Sequence, residues 1–410
     1  MWGLGSGIWD LRFGILGLGF GVGGLESGIW GELCDPHGAG IWDLGSWICD
    51  LGFGISDLGG DVAPAQGRDL GFGILGDPAR SRDLGLGFWG TPHGAPPLPA
   101  VFVVFSFASA VDLVIALEED GIISGFAELY VREGDPHLRT AHGLLTCYWD
   151  GSVHYGLCVA MAGALGRRKN YRSLSLFWLG SLLMSAVVFL LGNLIGKYSS
   201  ELSPTFLLNL PYLLLLTWAG LRLFQQPRAL PTLSPDKIAE EQRKALSRRP
   251  RDLFLILILI ITAGFTFFRG MVVLDCPADP CFDYTYLHEP YLRDPVGYPK
   301  VQMLIYLFYL LPFLLLAIYG LAVPGCSWLP DWSLLAAGAV AQAQFAHVGS
   351  SLHSRTPFPY QTPDESLWSF LLSNALYALG PQLLALRCLR CPAFFLPVPG
   401  PGLARAKKYQ

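Results

Sequence analysis

Apolar runs of about twenty residues alternate along this chain with short polar joints. They occupy 101–117, 141–165, 174–196, 204–224, 253–274, 301–323, 332–348 and 367–389. A helix rises about 1.5 Å per residue and the hydrocarbon core of a bilayer is about 30 Å thick, so runs of this length suit membrane-crossing helices. The pattern predicts an all-α polytopic membrane protein with eight transmembrane helices. The runs beginning at 101, 141 and 332 carry enough polar or small residues that each is expected to face protein rather than lipid.

Composition agrees with that pattern. Hydrophobic residues make up 52% of the 410 and charged residues 15%, against about 25% charged in an ordinary soluble protein. A typical soluble enzyme is thereby excluded. The net charge of −4 gives no dense basic surface for phosphate, so nucleic acid is not expected as a partner. Nine cysteines are too few for a disulfide scaffold at this length. Cys147, Cys158 and Cys326 fall in or beside apolar runs, where a thiol behaves as a small hydrophobe.

Residues 1–100 stand apart. They hold 26 of the 48 glycines, and Gly7-Ile-Trp-Asp-Leu11 recurs at Gly40 to Leu44, as Phe13-Gly-Ile-Leu-Gly17 does at Phe72 to Gly76. No fixed period organises these repeats, and glycine at that density makes an ordered backbone entropically costly. A disordered low-complexity segment is expected, or a tandem repeat translated through an error in the gene model. It lacks the ordered regions of a signal peptide.

Basic residues set the expected orientation. Arg167, Arg168, Lys169 and Arg172 join the second and third runs. Arg228, Lys237, Arg243, Lys244, Arg248, Arg249 and Arg251 join the fourth and fifth. By the positive-inside rule both joints are cytoplasmic, as are both termini of this chain, and the loops at 118–140, 275–300 and 350–366 are lumenal. Cys276 and Cys281 lie in one lumenal loop, either as a disulfide across a Pro-rich turn or as two thiols. Lys407 and Lys408 stand fourth and third from the end. They read either as a dilysine signal for retrieval to the endoplasmic reticulum or as an ordinary basic tail.

The halves at 101–226 and 253–391, separated by a basic linker at 227–252 and followed by a tail at 392–410, repeat one four-helix plan. Tyr130 precedes Glu133-Gly-Asp-Pro-His-Leu-Arg139 after the first helix of one half. Tyr286 precedes His288-Glu-Pro-Tyr-Leu-Arg293 in the other, and Asn209-Leu-Pro-Tyr212 corresponds to Asn374-Ala-Leu-Tyr377. An even number of helices per copy makes the repeats parallel, an arrangement that transporters also use. Polar groups within spans are functional candidates because burying them in lipid is costly. In the first copy these are Asp112, Asp150, His154, Asn193, Asn209 and Tyr212. Asp150 and His154, one turn apart, suit proton transfer or ligand binding, or simply satisfy each other or Arg139. In the second copy they are Arg269, Gln302, His347, Asn374 and Tyr377, with Asp275 at a helix end and no buried carboxylate expected to face a base. Trp149, Trp178, Trp218, Trp328, Trp332 and Trp368 fit an interfacial belt. Cys388-Leu-Arg-Cys391 fits palmitoylation better than metal binding. No metal site or cofactor is expected.

Several long motifs point to a family. Asp112-Leu-Val-Ile-Ala-Leu-Glu-Glu-Asp120, Leu138-Arg-Thr-Ala-His-Gly143, Cys147-Tyr-Trp-Asp-Gly151, Pro290-Tyr-Leu-Arg-Asp-Pro295, Tyr298-Pro-Lys-Val-Gln302 and Pro324-Gly-Cys-Ser-Trp-Leu-Pro-Asp-Trp332 closely resemble the transmembrane 6 superfamily over residues 98–395. The resemblance implies two four-helix EXPERA domains, a unit shared with the emopamil-binding sterol isomerase and the sigma-2 receptor. It also implies residence in the endoplasmic reticulum membrane and its intermediate compartment with the Golgi. The expected role is lipid loading and secretion of triglyceride-rich lipoproteins and control of lipid droplet content, with membrane lipid or sterol and the lipoprotein assembly machinery as partners. Members of the family begin with two further membrane helices where this chain has its glycine-rich repeat. The isomerase places a His and a Glu four residues apart on its opening helix. The matching positions here are Asp112 and Ala116, and Phe265 and Arg269, so the residues do not support sterol double-bond migration. The candidate ligand cavity is lined by Asp112, Asp150, His154 and Asn209. A sterol isomerase-like enzyme and an assembly scaffold are the alternatives.

Overall fold

The computed structural model describes residues 98–126, 131, 136–200, 206, 209–226, 228 and 233–397. The glycine-rich repeat and Lys407 and Lys408 lie outside the described residues. Eight long helices are found among those described, numbered α1 to α8 here. They are α1, Leu98–Glu119; α2, built from Ala141–Trp149, Asp150–His154 and Tyr155–Gly166; α3, Arg172–Ile195; α4, Asn209–Gln225; α5, Pro250–Val273; α6, built from Tyr298–Ile305, Tyr306–Leu310 and Leu311–Ala322; α7, Leu329–Leu352; and α8, Leu367–Arg390. Their starts follow local chemistry. Thr140 is extended and its hydroxyl accepts from Gly143 N–H (3.0 Å), capping α2. Proline opens α5, α6 and α7 within the first turn, where its missing N–H costs nothing.

Five helical stretches are long and apolar enough to cross a membrane: Leu98–Glu119, Arg172–Ile195, Pro250–Val273, Tyr298–Ala322 and Phe358–Arg390. The remaining long helices fall outside that set for physical reasons. α4 has only 17 residues. α2 carries Asp150, Ser152, His154 and several glycines, and α7 carries Gln342, Gln344, Ser350 and Ser351, the α7 residues all buried by neighbouring helices rather than presented to lipid. α1 departs from expectation, because Val103, Val104, Phe107 and Val111 leave an apolar face exposed.

Both segmented helices widen into a π turn near their first third, at Asp150–His154 in α2 and at Tyr306–Leu310 in α6. Pro312 explains the second. Its ring would clash with the carbonyl four residues back in a regular helix, and the wider turn makes room. In the first, the Ser152 hydroxyl donates back to the Tyr148 carbonyl at 2.5 Å, a bond that bends helices. Gly151 lets α1 pack directly against this turn, since a Cβ there would fall on Leu113.

The centre of the bundle is the pair α3 and α7. A Cβ at Gly180 would fall on the Leu335 carbonyl oxygen, and one at Gly338 would fall on the Phe177 carbonyl oxygen. Each glycine therefore receives the backbone three residues before the other. At one end, Arg172 on α3 makes two hydrogen bonds to Asp331 on α7 (2.6 and 2.8 Å), and Arg228 reaches the same carboxylate at 2.6 Å. A matching trio lies at that end, with Asp252 held by Arg249 (2.6 Å) and Arg387 (2.6 and 3.0 Å). At the opposite end Arg355 pairs with Glu119 (2.9 Å), and Tyr298, stacked on His142, donates to Asn193 at 2.6 Å. Trp178 belongs to the interior and not to an interfacial belt: it is fully buried and edge-on to Phe102 and Phe105.

Candidate functional site

The polar residues within the helices fall into two groups. In the first, the π turn of α2 swings Asp150 and His154 to one side, and His154 Nδ1 lies 2.7 Å from Asp150 Oδ1. On its other edge His154 Nε2 is 2.7 Å from Ser181 Oγ on α3. The indole N–H of Trp149 donates to the same oxygen at 2.9 Å, which leaves the serine proton for the imidazole. Asp112 on α1 is half-buried and within electrostatic reach of Asp150. Tyr212 on α4 senses both carboxylates and packs against Phe105. Asp112, Asp150, His154 and Tyr212 thus assemble as a set. Asn209 opens α4, and its side chain lies outside the described residues. The backbone carbonyl of Arg139 accepts from Arg355 at 3.4 Å.

The order carboxylate, imidazole, hydroxyl is that of a nucleophile relay. Ser181 is completely buried, out of reach of a substrate, and its oxygen also accepts from Trp149. The arrangement instead fixes the imidazole and leaves the Asp150 carboxylate, 15% exposed, and Asp112 as the groups able to meet a ligand. Two carboxylates against one histidine suit a cationic or hydroxyl-bearing partner.

The second group corrects the expectation that no buried carboxylate faces a base in the second half. Glu289, delivered from the loop between α5 and α6, is fully buried and pairs with Arg269 on α5 through two hydrogen bonds, the one from Nε at 3.0 Å. His347 Nε2 on α7 stands 2.5 Å from Glu289 Oε1, and Tyr284 donates to Oε2 at 2.7 Å. Arg269 also donates to Asn374 Oδ1 at 3.3 Å and lies over the rings of Tyr377 and Phe265. Burial by itself would push the Glu289 carboxyl up, but the Arg269 charge, with His347, holds it down to about 2. Arg269, Asn374 and Tyr377 are therefore brought together, while Gln302 is buried beside Tyr306 on α6. Of the missed members, Glu289 carried one readable signal, since two bases inside apolar helices, Arg269 and His347, require an acid nearby; Ser181, which meets His154, carried none.

No group of three or more His, Cys, Asp or Glu able to hold a metal occurs among the described residues. Cys276 and Cys281 are joined as a disulfide with Cα atoms 6.1 Å apart. Cys388 is buried, and Cys391 is half-buried.

Bundled helices with charged groups tucked between them define a polytopic helical membrane protein. Its second half is of the EXPERA class: the family described as EXPERA (EXPanded EBP superfamily) matches residues 278–388. The family described as "Transmembrane 6 superfamily member 2-like, transmembrane domain" matches residues 90–234. Curated relatives named Transmembrane 6 superfamily member 2 match most of the chain. The one from Mus musculus is 62% identical over 300 residues, covering 73% of this chain and 79% of its own length. The one from Homo sapiens is 60% identical over 313 residues, covering 76% and 83%. The chain belongs to the transmembrane 6 superfamily, within its member 2 group. No solved structure matches it.

Proposed function

We propose that this protein handles lipid in the endoplasmic reticulum membrane and the intermediate compartment with the Golgi. In this reading it promotes lipid loading and secretion of triglyceride-rich lipoproteins, limits lipid droplet content, and works beside the lipoprotein assembly machinery. The observation that carries it is the first polar group: Asp112 and Asp150, half-open between apolar helices, with Asp150 braced by His154 and Tyr212 nearby on α4. Such a pair offers acceptors for a sterol hydroxyl or another lipid head while the surrounding helices cover the apolar body. Both arginine trios lie at one end of the bundle, which is the cytoplasmic end by the positive-inside rule. The two π turns and the reciprocal glycine contact between α3 and α7 support descent of both halves from one four-helix unit.

The test uses liver-derived cells lacking the endogenous protein, re-expressing wild type, Asp112→Asn or Asp150→Asn at matched abundance. Wild type alone restoring triglyceride secretion, with sterol intermediates unchanged, supports a lipid-binding role. Both variants behaving as wild type overturns it. A second reading, an isomerase-like enzyme, rests on the 2.7 Å acid–base contact between Asp150 and His154. Accumulation of a sterol precursor with Asp150→Asn favours that reading.

A further inference from the structure

The segment between α5 and α6 folds into a short helix at Asp279–Asp283 continued by a π turn at Tyr284–His288. Its two faces differ. Inward, Cys281 is buried in the disulfide to Cys276, and Tyr284 is tied to Glu289 and hence to Arg269. Outward, Phe282 (59% exposed), Tyr286 and Leu287 (58%) form an apolar strip at positions one and four or five residues apart, the spacing of one helical face. A segment pinned at both edges thus presents Phe282 and Leu287 with more than half of each side chain exposed.

What lies beside the strip identifies its partner. Ser366 donates to the Leu287 carbonyl at 2.5 Å and His288 Nδ1 lies 3.3 Å from Ser369, so the strip abuts the first turn of α8. There Trp368 and Leu372 are exposed on a helix apolar enough to cross the membrane, and Leu274, also exposed, closes α5 on the other side. The strip is therefore continuous with the lipid-facing surface of two spanning helices. Arg293 stands 3.9 Å over the Tyr286 ring, and Asp279 and Asp283 are exposed on the same segment, so charged groups flank the apolar strip as they do in helices that lie in an interface.

The geometry points to an interfacial wedge: residues 279–288 lie in the headgroup region of the leaflet at this end of the bundle, with Phe282 and Leu287 among the acyl chains. The partner is a phospholipid surface rather than a protein. The disulfide and the Tyr284–Glu289 bond hold the wedge at a fixed height relative to the helices.

The full-length protein carrying a photoactivatable benzoylphenylalanine at position 282, or separately at 287, tests this in vesicles of phosphatidylcholine and phosphatidylserine. Position 257 on the exposed face of α5 serves as the membrane reference, and exposed position 240 in the polar helix Pro235–Arg243 as the water reference. Acyl-chain adducts at 282 and 287 are expected at a yield comparable with 257 and roughly tenfold above 240. Yields at both positions no higher than at 240 overturn the proposal. So does a dominant protein adduct at 282 or 287 when the same variants are irradiated in cells. Since both replaced side chains point outward, folding is checked by the intact Cys276–Cys281 bridge and unchanged abundance. Should one position perturb the fold, the other decides the result.

Discussion

The two polar groups sit in similar helical surroundings and differ in how their charge is closed. Around Arg269 the charges balance and the charged partners are buried, with Glu289 satisfied at once by a guanidinium, an imidazole and the phenol of half-buried Tyr284. Around Asp150 the acids outnumber the bases and part of the carboxylate surface stays open. A closed ion pair uses its hydrogen-bonding capacity internally and so fixes structure. An open pair with surplus acid keeps capacity for something that arrives. The second half, although it is the part that matches EXPERA, is in this sense the more locked of the two.

Several substitutions can break or sharpen that contrast. Glu289→Gln leaves Arg269 buried without its counter-charge and is expected to destabilise the detergent-solubilised protein by about 3–5 kcal/mol, read as a large fall in melting temperature. An unchanged melting temperature would show that the cluster is not a lock. Gly180→Val drives a branched side chain into the Leu335 carbonyl and should cost about 1–3 kcal/mol, seen as lower abundance and earlier unfolding. Acidification gives a third measure. The Glu289 carboxyl sits near 2 in the folded protein against an ordinary value of 4.5. Its stabilisation is therefore complete above pH 4.5 and is lost as pH falls from there toward 2. By pH 4 wild type should have lost about 1 kcal/mol that Glu289→Gln, lacking the titrating group, does not lose. Asp150→Asn is expected to have the smallest effect on stability, under about 1 kcal/mol, because its carboxylate is partly solvated, while lowering retention of bound lipid in the purified protein. Equal loss of stability from Asp150→Asn and Glu289→Gln would erase the distinction.

Much of this was readable beforehand because intramembrane polar residues are rare and helix spacing is regular. Asp150 and His154 followed from their four-residue offset, and Arg269, Asn374 and Tyr377 from polarity within apolar runs. Glu289 escaped because its loop is aqueous by sequence and only folding returns it to the interior. Arg172 reads in the sequence as one of a basic joint, and nothing local announces that Asp331, about 160 residues later, meets it. The π turns were equally hidden, since a widened turn has no compositional mark apart from Pro312. Trp178 went astray because its place near the end of an apolar run suggested an interface. Three-dimensional packing put it beneath Phe102 and Phe105 instead.

The mutual fit of Gly180 and Gly338 also sets a schedule. α3 cannot find its partner until α7 has been synthesised, and at about 5–20 residues per second the intervening stretch takes roughly 10 to 30 s to appear. For that interval a completed helix waits in the bilayer with its bare glycine surface unoccupied. The protein's birth therefore contains a built-in delay during which quality-control factors, or a second nascent copy, can reach the seam first.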